Sequence, residues 1–279
     1  MAEHHTGTDD TNSGSPPSYG QADGRVTDAQ IALTQNISWT PLVRDMTLGL
    51  MAIGAPKSKD IHARAYSYNY KSDGATIEVS SWDDTELYWG RADHVFWGFG
   101  PLSPEYGTIY TVSGTKSSNR VEFWKRYDVP PTVVVFFYYL DLVTTGTAWR
   151  IRAFPKDVTM TGFTVVVESW NKSEFKAVGV SWIAIPANST HYRVGSYSTT
   201  ELHGPDRVGQ KHSKAIEFSP PLGDKAYVFT GLNKIVMYND QDLRINLWKE
   251  SISGKGFTWH IDSWADSKIV LASASYIAW

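Results

Sequence analysis

The sequence predicts an all-β protein made of three tandem, six-stranded antiparallel β-sandwiches. Two observations lead to this prediction. Short runs rich in β-branched and aromatic residues alternate with Gly, Pro, Asp, Asn and Ser turns, and no amphipathic helix pattern extends beyond two turns. In addition, one short motif recurs three times at a spacing of roughly 90 residues, a length that holds about six short strands.

The repeated motif is a Gly, then a strand, then a Ser-Trp pair whose Trp lies eight residues after the Gly. Its copies run from Gly74 to Trp82, from Gly162 to Trp170 and from Gly256 to Trp264. The three Trp residues are therefore 88 and 94 residues apart. Because Trp is rare, three occurrences at one offset indicate internal repetition. We expect each Gly to occupy a turn that needs positive φ.

Further features follow the same frame. Each copy has an early strand that ends in an aromatic residue: Trp39, Phe123 and Phe218. A β-rich run comes next, at residues 46–53, 132–140 and 226–230. Twelve residues before each Gly stand His62, Arg150 and Arg244. An aromatic strand closes each copy, at residues 95–97, 180–184 and 274–279.

This frame divides the chain into a tail and three units. Residues 1–24 are polar, lack apolar periodicity and are predicted to be a disordered tail. The units are predicted at residues 25–100, 101–188 and 189–279. The linkers at residues 98–106 and 186–191 are short, so we expect the units to pack on one another.

The composition excludes several classes of function. The chain has no Cys, which excludes disulfides, thiolate metal sites and a Cys nucleophile, and its eight His residues show no ligand-like spacing. We therefore expect no metal and no cofactor. The net charge of −3 argues against a nucleic-acid-binding surface. The chain contains no run of about 18 apolar residues, so no membrane insertion is predicted. No secretory signal is visible, which predicts a cytoplasmic or unconventionally exported protein.

One known domain family shares the order of these motifs. From Val121 to Ile185 the chain carries an aromatic strand, Pro-Pro-Thr-Val-Val-Val, Arg-Ile-Arg-Ala, Ser-Trp-Asn and Val-Ser-Trp-Ile-Ala-Ile. This order resembles the H-type lectin domain, the family of the snail agglutinin and the discoidins. Leu243-Arg244-Ile245 and Asp262-Ser263-Trp264 fit the same pattern in the last unit, as do residues 35–39 and 82–88 in the first. The resemblance covers residues 25–279.

The resemblance implies a lectin that binds galactose or N-acetylgalactosamine without catalysis and without a metal. Family members are trimers whose sugar sites lie between neighbouring sandwiches. Because three units are joined in this chain, we expect an intramolecular pseudo-trimer with three nonidentical sites. The implied partners are glycoproteins or glycolipids that end in these sugars, and three sites in one chain predict a multivalent agglutinin. Further self-association stays open.

The family's contact positions can be followed onto this sequence. Its acidic residue falls on Asp28 and, one place off register, on Asp206, whereas the second unit has Val112. Its Arg is matched by Arg150 and Arg244 and replaced by His62 in the first unit. Its Trp is matched three times, by Trp82, Trp170 and Trp264. An Arg or Asp side chain suits a sugar because it donates to or accepts from hydroxyls in fixed directions.

Two more positions complete the comparison. The residue after the Trp, often His in the family, is Asp83, Asn171 or Ala265, and Asp266 is placed to compensate for Ala265. This departure puts the N-acetylgalactosamine preference in doubt. An aromatic residue six places after the Trp, donated from the neighbouring unit, is present only as Tyr88. No unit carries every position, but a site assembled from two units could still be complete.

Each of these residues also has a purely structural interpretation. The aspartates suit turns, the Arg residues suit surface ion pairs, and the Trp residues suit the core. Two other functions were weighed. A glycan-active enzyme needs a pair of catalytic carboxylates, and no acidic pair or catalytic motif recurs in the three units. A protein-interaction or structural β-protein with degenerate lectin sites remains the alternative.

Overall fold

The computed structural model describes residues 33–38, 46–57, 59–71, 74–83, 85–97, 104–202, 208–224 and 226–279. The predicted tail, Asp28 and Asp206 lie outside these residues. The described part is all-β, and its only helical element is a single 3-10 turn at Thr199–Glu201. This confirms the all-β part of the predicted fold class. No helix in the described ranges is long and apolar enough to cross a membrane.

Seventeen strands are described, and we group them into three segments. Segment 1 contains β1 (Leu33–Ser38), β2 (Met46–Ala55), β3 (Ile61–Lys71), β4 (Gly74–Ser80) and β5 (Trp89–Phe96). Segment 2 contains β6 (Glu105–Gly114), β7 (Lys116–Glu122), β8 (Thr132–Thr144), β9 (Ala148–Lys156), β10 (Gly162–Ser169) and β11 (Ser173–Ile185). Segment 3 contains β12 (Arg193–Ser198), β13 (Ser213–Glu217), β14 (Val228–Tyr238), β15 (Leu243–Ser253), β16 (Gly256–Asp262) and β17 (Ile269–Ala278).

The strands form three antiparallel sheets, and every sheet combines two segments. The sheet orders are β1-β4-β3-β8-β11-β6, β12-β17-β14-β9-β10-β7 and β13-β16-β15-β2-β5. The segments therefore join through three strand pairs: β3 with β8 (seam A), β9 with β14 (seam B) and β15 with β2 (seam C). Each segment shares one sheet with each of the other two, so the pairing closes a ring.

The strands have one inward and one outward face because apolar and polar residues alternate along them. In β15, Leu243, Ile245 and Leu247 are fully buried, whereas the intervening Arg244 and Asn246 are half-buried. In β9, Ile151 and Ala153 are buried, whereas the alternating Arg150 and Arg152 face outward. A period of two fixes which side chains reach the outer surface of each seam.

Three equivalent positions from the three segments meet at the centre of the ring. Gly49, Phe136 and Gly231 are the strand partners of Asp93, Ser181 and Ser275, respectively. A Cβ atom on Gly231 would lie 2.9 Å from the Cα of Gly49 and 3.1 Å from the Phe136 ring. The two glycines therefore make room for one Phe, since interiors are packed to the density of organic crystals.

A small apolar cluster surrounds this point and draws on all three segments. Val95, Ile183 and Ile277 occupy equivalent places in the closing strands β5, β11 and β17, and each is fully buried. The Phe136 ring meets the Phe229 ring edge-on at 4.7 Å between centroids. The closing strands that the sequence singled out for their aromatic and apolar residues thus build the centre of the molecule.

The expectation of positive φ at each motif Gly is only partly correct. Gly256 has φ +150°, but Gly162 does not have positive φ. Gly162 is needed for a different reason: a Cβ there would lie 2.2 Å from the carbonyl oxygen of Val121 on β7. Both glycines begin the strand that carries the Ser-Trp pair, and at both the neighbouring strand approaches too closely for a side chain.

One ion pair is fully enclosed between segments. Lys249 Nζ lies 2.5 Å from Asp93 Oδ2, and the two side chains are 3% and 0% exposed. The same oxygen accepts a hydrogen bond from the Thr230 backbone N–H at 3.0 Å. The equivalent positions of Asp93 in the other segments are Ser181 and Ser275, also buried. Of the three equivalent positions, only that of Asp93 therefore carries an ion pair of this kind.

We predict that Asp93→Ser lowers the free energy of unfolding by about 3–5 kcal/mol, because it leaves the Lys249 ammonium buried without its partner. Asp93→Ser combined with Lys249→Met should recover most of this loss, since Ser already occupies both equivalent positions. Urea unfolding of the wild type and the two variants measures both effects. A double variant no more stable than Asp93→Ser would contradict this account.

Candidate functional site

Three equivalent turns follow β4, β10 and β16, and each brings a Trp to a seam. The residues after the Trp, Asp83, Asn171 and Ala265, are exposed and have φ of 54°, 53° and 54°. A left-handed conformation is uncommon for residues other than Gly, so its recurrence identifies one turn built three times. Each Trp contacts the neighbouring segment: Trp82 meets Tyr139, Trp170 meets Lys234 and Trp264 meets Trp89.

Seam C joins Arg244 of segment 3 to Tyr88 of segment 1. Arg244 on β15 pairs with Gly54 on β2. A Cβ on Gly54 would lie 2.8 Å from the Tyr88 ring, so this Gly leaves the space that the ring occupies. The Arg244 guanidinium carbon lies 5.7 Å from the centroid of that ring, within cation–π range.

The Arg244 guanidinium is also held by acidic groups of its own segment. It forms ion pairs with Asp242 and Asp266 and donates to Ser267 Oγ at 3.1 Å. The Arg244 side chain is 13% exposed, whereas that of Asp266 is 64% exposed. The hydrogen bond from Arg244 lowers the pKa of Asp266 below its ordinary value.

Seam C therefore brings together four of the residues predicted from the sequence. Tyr88 comes from segment 1, and Arg244, Trp264 and Asp266 come from segment 3. The Trp264 ring is half-buried and meets the Trp89 ring edge-on at 4.8 Å. An aromatic wall, a fixed guanidinium and an exposed carboxylate can together pack against the C–H face of a sugar and bind its hydroxyls.

Seam A differs because His62 is buried. The His62 side chain is 2% exposed; its Nδ1 lies 3.0 Å from the Trp82 carbonyl oxygen and its Nε2 lies 3.3 Å from Asp141 Oδ1. Its ring stacks on the Trp82 ring at 5.0 Å. Burial raises the pKa of Asp141, and the nearby His62 opposes that shift.

His62 is thus enclosed within seam A, and its contact with a sugar stays a prediction. An imidazole is shorter than an arginine side chain, and here it stays between the Trp82 turn and β8 instead of reaching the surface. The outer part of seam A presents the exposed Asp83 and Lys176. Lys176, which stands where an aromatic residue was expected, pairs with Asp60 at 3.1 Å.

Seam B contains Arg150, Trp170 and Asn171, all from segment 2. Arg150 lies opposite Val236 of segment 3 and donates from Nη1 to the Ala148 carbonyl oxygen at 3.3 Å. Trp170 is half-buried, and Asn171 is exposed. Val270, the segment 3 residue at the position equivalent to Tyr88, offers no aromatic ring. This seam therefore lacks the Arg–Tyr contact of seam C.

A cleft of about 470 Å³ opens beside Trp170 on the segment 2 side of seam B. It is lined by Thr115, Lys116, Arg152, Glu168, Ser169 and Trp170. Glu168 accepts from Arg152 Nε at 2.9 Å and from Arg152 Nη2 at 2.5 Å, and it pairs with Lys116 at 3.0 Å. These hydrogen bonds, that from Arg152 foremost, lower the pKa of Glu168.

The H-type lectin domain model matches residues 118–185 and 213–279. These two stretches begin within β7 and at the start of β13 and include Arg150, Trp170, Arg244 and Trp264. A domain of this family suggests carbohydrate binding. No curated protein and no solved structure matches the chain.

Several residues at the seams were missed by the sequence analysis. Arg152 lies two residues after Arg150, so strand alternation places both on the same face, and that signal could have identified it. Trp89 follows Tyr88 directly, and this adjacency to a predicted site residue could have drawn attention to it. Tyr139 and Lys234 had no such signal, because each belongs to a segment other than that of the Trp that it contacts.

We predict that Glu168→Gln destabilises the protein at pH 7 by at most about 1 kcal/mol, because it removes exposed ion pairs. Since folding lowers the pKa of Glu168, its contribution is complete above the unfolded value of 4.5 and is lost as the pH falls through the folded value. The difference in thermal midpoint between wild type and variant should therefore shrink from pH 7 to pH 3. A difference that is independent of pH would contradict this prediction.

Proposed function

We propose that this protein is a non-catalytic, metal-independent lectin that binds galactose- or N-acetylgalactosamine-type glycans at its seams. The observation that carries the proposal is the Arg244–Tyr88 contact in seam C. The sequence predicts both residues, independently and at distant points of the chain, to belong to one site shared by two units. Their side chains lie 5.7 Å apart across the strand pair that joins segments 1 and 3.

We further propose that the chain is an intramolecular pseudo-trimer of three H-type lectin-like units. The cyclic order of strand pairs at seams A, B and C supports this interpretation. So does the convergence of the equivalent positions Gly49, Phe136 and Gly231. The domain model matches within segments 2 and 3, and segment 1 is assigned to the same fold by its equivalent strands and its Trp82 turn.

Seam C is proposed as the principal site. The C–H face of the sugar packs on the Trp264 or Tyr88 ring, while Arg244 donates to hydroxyl oxygens and Asp266 accepts from hydroxyl hydrogens. The ion pairs of Arg244 fix the guanidinium before the ligand arrives, which reduces the entropy lost on binding. Asp266 accepts the hydroxyl hydrogen bond that Ala265, which has no polar side chain, cannot make. Asp28 is proposed as a further acceptor on the basis of its sequence register alone.

Seams A and B carry incomplete sets of the predicted residues, so we propose weaker or different binding there. Several sites in one molecule raise the avidity for clustered glycans by on the order of 10²–10⁴ when the geometry allows simultaneous engagement. A degenerate lectin that serves as a protein-interaction module is the alternative. It differs from this proposal by binding no galactose-type sugar.

We predict that Arg244→Ala and Tyr88→Ala each weaken N-acetylgalactosamine binding at seam C at least about tenfold. The first variant removes hydrogen bonds from a charged group, which contribute roughly 1.5–3 kcal/mol, and the second removes the ring against which the sugar packs. Isothermal titration calorimetry of the full chain with N-acetylgalactosamine and galactose provides the measurement. Equal losses from two residues in different segments would place the sugar at the seam.

Arg126→Ala is the matched control, because Arg126 is an exposed Arg in the loop after β7 and is outside the seam strand pairs. Thermal midpoints of all variants distinguish lost binding from lost folding. Wild-type affinity in both seam variants would refute the site. Failure of the wild type to bind either sugar at millimolar concentration would refute the lectin function and favour the protein-interaction alternative.

A further inference from the structure

A row of four charged side chains crosses the outer face of the sheet at seam B. In register, Lys234 on β14 faces Arg152 on β9, Arg152 faces Glu168 on β10, and Glu168 faces Lys116 on β7. Facing residues in antiparallel strands lie about 4.5–5.5 Å apart at Cβ, so the row is continuous. Three of its members are cations, and only one is an anion.

The single carboxylate of this row is already engaged by two of the cations. Glu168 accepts hydrogen bonds from Arg152 and pairs with Lys116. Among the described residues, Lys234 has no carboxylate within ion-pair distance; its recorded neighbours are Trp170, with Nζ 5.9 Å from the ring centroid, and Arg152. The row therefore keeps a surplus of positive charge, and that surplus is concentrated at the seam.

The environment of Lys234 is unfavourable for a cation without a counter-ion. Burial lowers the pKa of Lys234, and the like charge of Arg152 lowers it further. An anion placed between the two side chains would reverse the second effect. Like charges that face each other across strands are destabilising, and Glu168 faces Arg152 from the side opposite to Lys234.

Trp170 provides an apolar surface directly beside these cations. The Arg152 guanidinium carbon lies 5.8 Å from its ring centroid, and the ring lines the cleft of about 470 Å³ together with Lys116 and Glu168. Arg150 and the exposed Asn171 lie on the same seam. The cleft is therefore large enough for a sugar ring, and its lining combines the aromatic face of Trp170 with the Lys116 and Arg152 cations.

Seams A and C lack a facing pair of cations at the equivalent row. In seam A, Tyr139 faces Arg64, and Arg64 donates from Nε to Ser80 Oγ at 3.1 Å. In seam C, Ala52 faces Asn246, which in turn faces the acidic Asp262. Lys234 is thus replaced by an aromatic residue in one seam and by a small apolar residue in the other, so a facing pair of cations distinguishes seam B from the equivalent rows of the other two seams.

We propose that seam B binds saccharides that carry an anionic group, either a carboxylate or a sulfate. The sugar ring packs against Trp170, and the anionic group lies between Lys234 and Arg152, which donate charge-assisted hydrogen bonds to it. This inference rests on the proposed lectin function and assigns seam B a ligand class different from that of seam C. The excess positive charge is confined to this row, whereas the whole chain has a net charge of −3. Such a local excess suits one small anion better than a polyphosphate backbone, which needs an extended basic surface.

The test compares matched neutral and anionic ligands on the full chain. Calorimetry at low salt uses lactose against sialyllactose for the carboxylate, and N-acetylgalactosamine against its 6-sulfate for the sulfate. We expect at least one anionic ligand to bind about tenfold more tightly than its neutral counterpart, with an advantage that shrinks as salt screens the charges. The arm that shows the advantage identifies the anion.

Lys234→Met should remove this advantage while leaving neutral-sugar binding at seam C unchanged. Lys214→Met is the matched control. Lys214 is an exposed lysine on β13, outside the strands of seam B, and it pairs with Glu201. Absence of an advantage in both ligand pairs, or its persistence in the Lys234→Met, Arg152→Gln double variant, would overturn the inference and leave the lectin function intact. Displacement of the anionic saccharide by an equal concentration of inorganic sulfate would also overturn it, whereas no sugar binding at all would refute the lectin function itself.

Discussion

Strand pairing between segments is the constraint on which the rest of this structure depends. A sandwich has edge strands whose N–H and C=O groups need partners, and exposed edges invite aggregation. Here β3, β9 and β15 satisfy these groups by pairing with β8, β14 and β2 of the next segment. Because the three pairs close a ring, each seam draws side chains from two segments, and the closing strands meet in one central cluster.

A single chain allows the three equivalent positions to differ, which three identical subunits could not do. Phe136 fills the centre only because Gly49 and Gly231 stand opposite it. Asp93 pairs with Lys249 where the other segments use Ser181 and Ser275. The same freedom gives each seam its own chemistry: stacked aromatic rings around a buried His in A, a cationic row in B, and an Arg–Tyr–Asp arrangement in C. This asymmetry is the physical basis for assigning the seams different ligands.

Much of the fold and part of the site could be predicted from the sequence. The Gly-to-Trp motif located the three turns, and the same repeat frame placed Arg150 and Arg244 at equivalent positions twelve residues before the Gly. The burial of His62 could not be predicted, because it depends on Asp141 and Tyr139 from the neighbouring segment. The cationic row was missed for the same reason: Lys234 acquires its importance from its register with Arg152 across the seam. Local sequence fixes which face a side chain occupies, but not which strand lies beside it.

The central claim is that a sugar site is assembled from two segments at seam C. A crystal structure of the full chain with bound N-acetylgalactosamine tests it most directly. The account predicts sugar density between β15 and the turn before β5, in contact with Arg244 or Asp266 on one side and with Tyr88 on the other. Sugar density that contacts residues of only one segment, away from all three seams, would contradict it.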